Sequence, residues 1–223
     1  MKFVVVGLGY FGSALVRELI DCGHEVLAID SDEAHLRDLR DVATMAAIAD
    51  GTDLIALEQL GVGKMDTAVV AVGEGFEASL MITAHLQKLG VPRVYTRVIN
   101  EVHEHLLELL GVTGKVRVES LAAAYFSRQI ANEAVHRYFG IDADHGIVEL
   151  DLPVDLAGKT LSESGLRNEY GLNLITVRRP ETGTDEDSAL SITGTPGPEF
   201  VFREGDRLVV FGNLAKIDEF CQA

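Results

Sequence analysis

The fold-deciding stretch is Val4-Val5-Val6-Gly7-Leu8-Gly9-Tyr10-Phe11-Gly12, near the start of the chain. It continues an apolar run at residues 2–6, which predicts a buried strand, and it opens a helical pattern. Its glycines have the G-x-G-x-x-G spacing that binds phosphates: Gly7 for a tight turn, Gly9 for close approach of the backbone, Gly12 for helix–strand packing. The start of such a helix carries unpaired N–H groups and a partial positive charge. The stretch therefore predicts a bound nucleotide, the alternative being a strand–helix turn without a ligand.

An acid follows this loop at the place expected of a ribose-binding group. Asp30 ends the second predicted strand, close to the ~20 residues that separate such an acid from the glycines. An acid rather than a base favours a free ribose hydroxyl over the phosphate of NADP. We include Ser31 beside it, and Tyr10 and Phe11 between the glycines, in the candidate site.

A second polar cluster, Ala49-Asp50-Gly51-Thr52-Asp53, follows the third predicted strand. In a doubly wound sheet this edge borders the adenine, whose amine a carboxylate or hydroxyl can bind. Thr52 or Asp53 can also cap the next helix, and both roles can coexist. Gly73, after strand four, lets a ligand approach the backbone. Arg97, after strand five, can pair with phosphate or form a surface salt bridge.

Apolar runs alternate with helical patterns over the first two thirds of the chain, which indicates an α/β fold with a Rossmann-like doubly wound parallel sheet. The domain prediction is a nucleotide-binding domain at 1–118, a long crossover helix and linker at 119–140, and a small α+β lobe at 141–223. The predicted strands are 2–6, 25–29, 43–48, 67–72, 93–98, 115–118, 147–152 and 172–177, with a hairpin of 200–202 and 207–211. The predicted helices include 32–40, 76–89, 119–138, 161–168 and 213–220, and 180–198 is predicted as a loop.

Composition excludes several classes of function. The chain of 223 residues carries 35 acidic residues against 19 Lys and Arg, a net charge of −16. This balance argues against nucleic-acid binding and against docking on an anionic membrane, although backbone N–H groups can still hold a small anion. No apolar stretch is long enough to span a bilayer. Cys22 and Cys221 indicate reduced thiols, and we predict a cytoplasmic protein.

The sequence offers no evident catalytic machinery. The histidines are scattered, and His103 and His105 lie two apart beside Glu101 and Glu104, which indicates a solvated face opposite an apolar one. That apolar face comprises Val102, Leu106, Leu109 and Leu110. Tyr-x-x-x-Lys and a His/Asp/Arg constellation are both missing. A nucleotide sensor fits better than a small NAD-dependent oxidoreductase, or than a redox-sensing transcription factor, which needs a basic recognition helix.

These motifs together resemble the RCK (regulator of K⁺ conductance) family. The resemblance rests on the glycine stretch, on Leu27-Ala28-Ile29-Asp30, Ala49-Asp50-Gly51-Thr52-Asp53 and Ala71-Val72-Gly73 in an N-lobe, and on Gly165-Leu166-Arg167-Asn168-Glu169-Tyr170-Gly171 in a C-lobe. It covers nearly the whole chain and is greatest for the stand-alone cytosolic gating subunits of Ktr and Trk potassium uptake systems.

The resemblance implies a non-enzymatic subunit that binds an adenine nucleotide, ATP and ADP or NAD(H), and controls K⁺ flux through a membrane K⁺-translocating partner. It implies homodimers within an octameric ring at the inner face of the membrane. The helix after Glu119 would be the crossover that pairs N-lobes. Tyr10 stands where ATP-responsive relatives commonly carry an Arg that reaches a terminal phosphate, so that contact does not carry over.

Two further sites are implied by the resemblance alone. Glu119 matches a position at which some relatives hold a divalent cation, Mg²⁺ or Ca²⁺, beside the phosphates; it can equally be an acid in the first turn of a helix. Arg167 and Asn173 lie in the segment that binds cyclic di-AMP in some relatives. Arg167 can pair with a phosphate there, or with Glu163 or Glu169.

Overall fold

The chain forms two compact units. The computed structural model describes residues 1–180 and 190–221. The first unit comprises Met1–Ser120 and the second Leu121–Ala223. None of the helices within the described residues has the length and apolar character needed to cross a bilayer.

Six parallel strands and five helices build the first unit. The strands are β1 (Lys2–Val6), β2 (Glu25–Asp30), β3 (Met45–Ile48), β4 (Thr67–Val70), β5 (Val94–Arg97) and β6 (Gly114–Val116). The helices are α1 (Tyr10–Asp21), α2 (Glu33–Leu36), α3 (Leu54–Gln59), α4 (Phe76–Lys88) and α5 (Glu101–Leu110). The strand order β3-β2-β1-β4-β5-β6 reverses direction at β1, which creates a crevice at the carboxyl ends of β1 and β4. The predicted doubly wound sheet is confirmed.

The central strand β1 is apolar from Phe3 to Val6 because both of its faces are covered there. Val4 and Val6 pack into one buried cluster with Leu57 of α3, and Val5 packs into another with Val16 of α1. Strands buried on both faces have continuous apolar runs rather than an alternating pattern. The apolar run therefore places β1 in the middle of the sheet, and the glycine loop with it.

Two helices of this unit differ from their predictions. The single helix predicted at 32–40 is a short α2 followed by a 3₁₀ turn at Arg37–Leu39, and both Leu36 and Leu39 are buried. In α5 the predicted orientation is wrong. Val102 and Leu109 are 66% and 72% exposed, whereas His103 is fully buried rather than solvated. The helix packs through the face that carries His103 and Leu107, because tertiary fit outweighs the number of apolar residues on a face.

His103 stabilises the start of α5 in its neutral form. Its Nδ1 accepts a hydrogen bond from the backbone N–H of Ile99 at 3.2 Å, so the ring proton lies on Nε2. The side chain of Asn100 accepts from the backbone N–H of His103 at 2.8 Å, which caps the helix. Burial lowers the pKa of His103 below its ordinary value of 6.5. Protonation would charge a buried ring and convert its one acceptor into a donor.

The second unit is an antiparallel sheet with one helix packed on it. Its elements are α6 (Val118–Ala131), which begins in the first unit, and then β7 (Val135–Gly140), β8 (His145–Asp151), β9 (Asn173–Pro180), β10 (Leu190–Ile192), β11 (Arg207–Asn213) and α7 (Leu214–Cys221). The strand order is β10-β9-β11-β8-β7. Leu150, Leu208 and Val210 lie in the core beneath α7, together with Ile217 and Phe220. The predicted α+β class of this lobe is confirmed.

Three predictions in the second unit are wrong. The helix predicted to reach Tyr138 ends at Ala131, because the following residues pair with β8 as β7. The helix predicted at 161–168 is a series of turns. The predicted hairpin is absent from the described residues: Val201 bridges Thr160 instead, and the backbone N–H of Leu161 donates to Phe200 at 2.8 Å. Of the predicted loop at 180–198, residues 181–189 lie outside the described residues, and Leu190–Ile192 form β10.

We predict that His103 makes stability depend on pH. The unfolded chain takes up a proton on this ring below about pH 6.5, whereas the folded state resists it. The stabilisation is therefore complete above pH 6.5 and is lost as the pH falls toward the lower pKa of the folded state. Urea unfolding at pH 7.5 and 5.5 should show a smaller loss of stability in His103→Gln than in the wild type. His105→Gln, at an exposed ring on the same helix, is the control and should keep the wild-type loss. An equal loss in all three proteins would contradict the assignment.

Candidate nucleotide-binding site

A cavity of about 890 Å³ opens at the carboxyl ends of the central strands. The predicted site residues that line it are Gly7, Gly9, Tyr10, Phe11, Asp30, Ser31, Asp50, Gly51, Thr52, Gly73 and Arg97. Gly12 and Asp53 do not line it, and each has a structural role described below. Residues from the ends of five strands, β1 to β5, thus meet in one cavity, which has room for a nucleotide.

The three glycines of the loop have separate physical roles. Gly7 has φ +94°, which favours glycine, and a Cβ there would lie 2.9 Å from the backbone nitrogen of Val72. A Cβ on Gly12 would lie 1.9 Å from the carbonyl oxygen of Gly7, so no side chain fits between α1 and β1. A Cβ on Gly9 would have no neighbour within 4 Å. Gly9 is thus not required by packing, and its open side faces the cavity.

The first turn of α1 points its backbone donors at this cavity. Gly9 is the N-cap, and no side chain caps the helix. The N–H groups of the first helical residues therefore have no intrahelical partner, and Tyr10 and Phe11 of that turn line the cavity. Unpaired N–H groups and the helix dipole favour an anion here, and a phosphate fits this place.

Asp30 is held in place by the loop that it faces. Its Oδ2 accepts from the backbone N–H of Leu8 at 2.6 Å, and its Oδ1 accepts from the backbone N–H of Asp32 at 2.8 Å. His35 Nδ1 lies 3.1 Å from Oδ2. Oδ1 keeps a lone pair, which can accept a hydroxyl proton. The sequence analysis did not include His35 in the site, although it lines the cavity; the available signal was its position on the short helix α2, five residues after Asp30.

The cluster after β3 divides into a cavity wall and a helix cap. Asp50 Oδ1 accepts from the backbone N–H of Thr52 at 2.8 Å and from its hydroxyl at 2.7 Å, which lowers the pKa of Asp50. Both residues line the cavity. Asp53 caps α3 by accepting from the backbone N–H groups of Ile55 and Ala56 at 2.8 and 3.3 Å. Of the two roles open to this cluster, Asp53 has the cap, and Asp50 and Thr52 present polar atoms to a ligand.

Arg97 forms the salt bridge considered for it, whereas its pairing with a phosphate stays a prediction. It lines the cavity, and its guanidinium donates to the carboxylate of Glu119 in the first turn of α6. Hydrogen bonding to Arg97 lowers the pKa of Glu119. A Cβ on Gly73 would lie 2.6 Å from Arg97 Nη1, so the absence of a side chain at Gly73 leaves room for the guanidinium. Sequence reasoning predicted Arg97 and Glu119 separately but missed their pairing.

The other candidate residues are placed as follows. Tyr10 is fully exposed at the cavity, and Glu74, which the sequence analysis missed, adds a carboxylate to its wall.

Arg167 and Asn173 line a separate cavity of about 420 Å³ in the second unit. Glu163, one partner considered for Arg167, accepts from the backbone N–H and the hydroxyl of Thr160, both at 2.8 Å. Within residues 1–180 and 190–221, no three His, Cys, Asp or Glu side chains group as metal ligands.

Comparison with known proteins gives matches along both units. The TrkA-N domain model matches residues 3–117, and the TrkA-C domain model matches residues 147–223. The Ktr system potassium uptake protein C of Bacillus subtilis is 31% identical over 219 residues, which cover 98% of this chain and 95% of that protein.

Solved structures are similar in fold. The GsuK RCK domain has a TM-score of 0.61 at 21% identity, over 97% of this chain and 46% of that one, so this chain spans about half of its length. The NAD(P)-binding domain of an exopolyphosphatase-related protein from Archaeoglobus fulgidus has a TM-score of 0.51 at 27% identity, over 58% of this chain and 96% of that domain.

Two glycine substitutions should separate binding from folding. We expect Gly9→Ala to fold with an unchanged melting temperature and to weaken nucleotide binding at least tenfold, about 1.4 kcal/mol, because its methyl group projects where a phosphate would approach the backbone. Gly12→Ala forces α1 away from Gly7 and should destabilise the fold by about 3 kcal/mol or more. Thermal unfolding and titration calorimetry of both variants measure these effects. Wild-type affinity in Gly9→Ala would place the phosphates elsewhere.

Proposed function

The chain belongs to the RCK family, with a TrkA-N and a TrkA-C domain, and on that premise we propose that it is a nucleotide-sensing gating subunit of a potassium uptake system. The observation that carries the proposal is the coincidence of a nucleotide-sized cavity at the strand-order reversal with similarity to a Ktr potassium uptake protein along 98% of the chain. The subunit would bind an adenine nucleotide and bias K⁺ flux through a membrane protein. We propose a cytoplasmic location at the inner face of the membrane.

We propose a binding mode in which each part of the nucleotide meets one strand end. The phosphates lie at Gly7 and Gly9, against the first turn of α1, and Arg97 binds one of them. Asp30 accepts from the ribose hydroxyls. Asp50 and Thr52 bind the adenine amine. Gly51 lies between them in the cavity wall and has no side chain that would occupy the adenine position. The support is that these groups line one cavity, in the order in which a dinucleotide crosses such a sheet.

The nucleotide acts as an effector in this proposal, and the protein is not an enzyme. A ligand changes a conformational equilibrium only through a difference in its affinity for the two states, which requires no reacting groups. A relative that matches 98% of the chain is a potassium uptake protein, and this disfavours the oxidoreductase alternative. Both ATP/ADP and NAD(H) fit the proposal. Tyr10 brings no positive charge to a terminal phosphate.

We propose that the subunit works as a homodimer within a larger ring and that α6 forms part of the dimer interface. None of the residues of α6 is buried. Three of its large apolar side chains, Leu121, Phe126 and Ile130, are 66%, 58% and 68% exposed. Exposed apolar side chains on one helix gain free energy when a second copy covers them. Val102 and Leu109 of α5 offer a second apolar surface, which a ring of dimers would use.

Three finer parts of the proposal concern ions, a second ligand and domain limits. Glu119 supplies one carboxylate, whereas Mg²⁺ and Ca²⁺ take six or more oxygen ligands, so a cation would be shared with the nucleotide phosphates and water. Arg167 and Asn173 would bind cyclic di-AMP in the second cavity. We retain the division into a nucleotide-binding domain at 1–118, a connecting segment at 119–140 and a regulatory lobe at 141–223 as a proposal.

We predict that adenine nucleotides bind and stabilise the protein. A ligand at 100 times its Kd should raise the stability by about 2.7 kcal/mol. Thermal unfolding and calorimetry with ATP, ADP, AMP, NAD⁺, NADH and cyclic di-AMP, with and without Mg²⁺ or Ca²⁺, identify the effector. If none of these nucleotides binds or stabilises the protein, the proposed function is overturned.

K⁺ uptake tests the gating itself. Cells that lack their own K⁺ uptake systems and express the membrane subunit should take up K⁺ faster with the wild-type chain than with Gly9→Ala at equal expression. Equal uptake with both proteins would separate nucleotide binding from control of flux.

We also predict that the exposed face of α6 holds the dimer together. Phe126→Ser with Ile130→Ser removes apolar area at the interface and should shift the molar mass measured by light scattering toward the monomer. Val154→Ser is the matched control, since Val154 is 94% exposed and lies outside α6. A mass equal to that of the wild type in the double variant would exclude α6 from the interface.

A further inference from the structure

Arg97 is the only Lys or Arg among the described residues that line the nucleotide cavity. Three carboxylates, those of Asp30, Asp50 and Glu74, line the same cavity. A phosphate that enters this acidic surrounding has one guanidinium to pair with, in addition to the N–H groups of α1. The state of Arg97 therefore determines much of the affinity for the charged part of a ligand.

The partner that Arg97 already has belongs to the same chain. Its side chain is only 21% exposed, with Nη1 on the side of Gly73, and its Nη2 donates to Glu119. The Glu119 side chain is 65% exposed, so it approaches the guanidinium from the open side. The pKa of Glu119 is lowered by this hydrogen bond, so the carboxylate is charged at neutral pH. One donor of Arg97, Nη2, is thus occupied by an anion.

We infer that Glu119 competes with the phosphate of the ligand for Arg97. Both are anions, and both prefer the forked N–H donors of a guanidinium, which a phosphate binds best with two of them. The inference rests on the proposed nucleotide site. It adds that Glu119 sets the selectivity for phosphate-bearing ligands through Arg97, as a positioning residue.

Displacement of Glu119 also changes the first turn of α6. The Arg97–Glu119 ion pair joins the end of β5 to this turn, and a phosphate that takes Arg97 breaks the connection. The carboxylate released in this way belongs to the helix that carries the exposed apolar face. Occupation of the cavity would thereby produce a local change at the start of α6.

The experiment is a double-mutant cycle read with two ligands. Wild type, Glu119→Gln, Arg97→Gln and the double variant are titrated by calorimetry with ADP and with adenosine, in EDTA so that no divalent cation contributes. We expect Glu119→Gln to bind ADP about three- to tenfold more tightly, because an exposed ion pair of this kind no longer has to be broken. Adenosine, which has no phosphate, should bind both proteins equally. With Arg97 replaced, the gain from Glu119→Gln should fall below about twofold.

The remaining outcomes each decide the question. An unchanged or weaker ADP affinity in Glu119→Gln overturns the competition and shows that Arg97 holds both anions together. If Glu119→Gln raises the ADP affinity equally with and without Arg97, Glu119 acts only by charge repulsion on the phosphate. This outcome also overturns the competition. Glu101→Gln, the same change in the first turn of α5 and outside the cavity lining, should leave both affinities unchanged. Arg97→Lys replaces Arg97→Gln if the latter does not fold. If the wild type binds neither these two ligands nor any other adenine nucleotide, the proposed function fails and the inference with it; if it binds both and Glu119→Gln changes nothing, only the inference fails.

Discussion

The close contact between the first turn of α1 and the end of β1 is the constraint on which the site depends. A methyl group on Gly12 would lie 1.9 Å from the carbonyl oxygen of Gly7, so the helix can start at this place only without a side chain. Because the contact is made, the unpaired N–H groups of α1 lie at the mouth of the crevice between β1 and β4. The hydrogen bond from Leu8 to Asp30 then joins this loop to the end of β2. The proposed phosphate and ribose subsites thus depend on one piece of packing.

The electrostatics explain how a strongly acidic protein can hold an anionic ligand. The chain carries a net charge of −16, and carboxylates line the cavity itself. Attraction for phosphate comes from backbone dipoles, which need no basic side chains, and from Arg97. Among the described residues Arg97 is the one guanidinium in the lining, and the competition proposed for Glu119 would act on it from outside the cavity lining.

The extent to which the sequence predicted the structure varied with the kind of signal. Elements coded by local patterns were predicted well: β1 at residues 2–6 agrees in full, and α7 agrees to within a residue. The segment after Ala131 was mistaken for helix because its pairing with β8 is made across a turn. The buried face of α5 was mistaken because Val102 and Leu109 are apolar yet exposed, whereas His103 is polar yet buried with its Nδ1 paired. A helical wheel ranks residues by polarity and contains no information about the neighbouring surface.

The sequence by itself determined the doubly wound sheet, the glycine loop and the acid at Asp30, because these depend on spacings within one strand–helix–strand unit. Only the tertiary structure decided which polar side chains reach the cavity. Asp50 and Asp53 lie three residues apart and are chemically the same, yet one faces the cavity and the other caps α3. The tertiary structure likewise brings His35 to Asp30. It also brings Glu119, which follows β6 in the sequence, to Arg97 at the end of β5. Such contacts depend on how separate elements pack, which short-range periodicity does not encode.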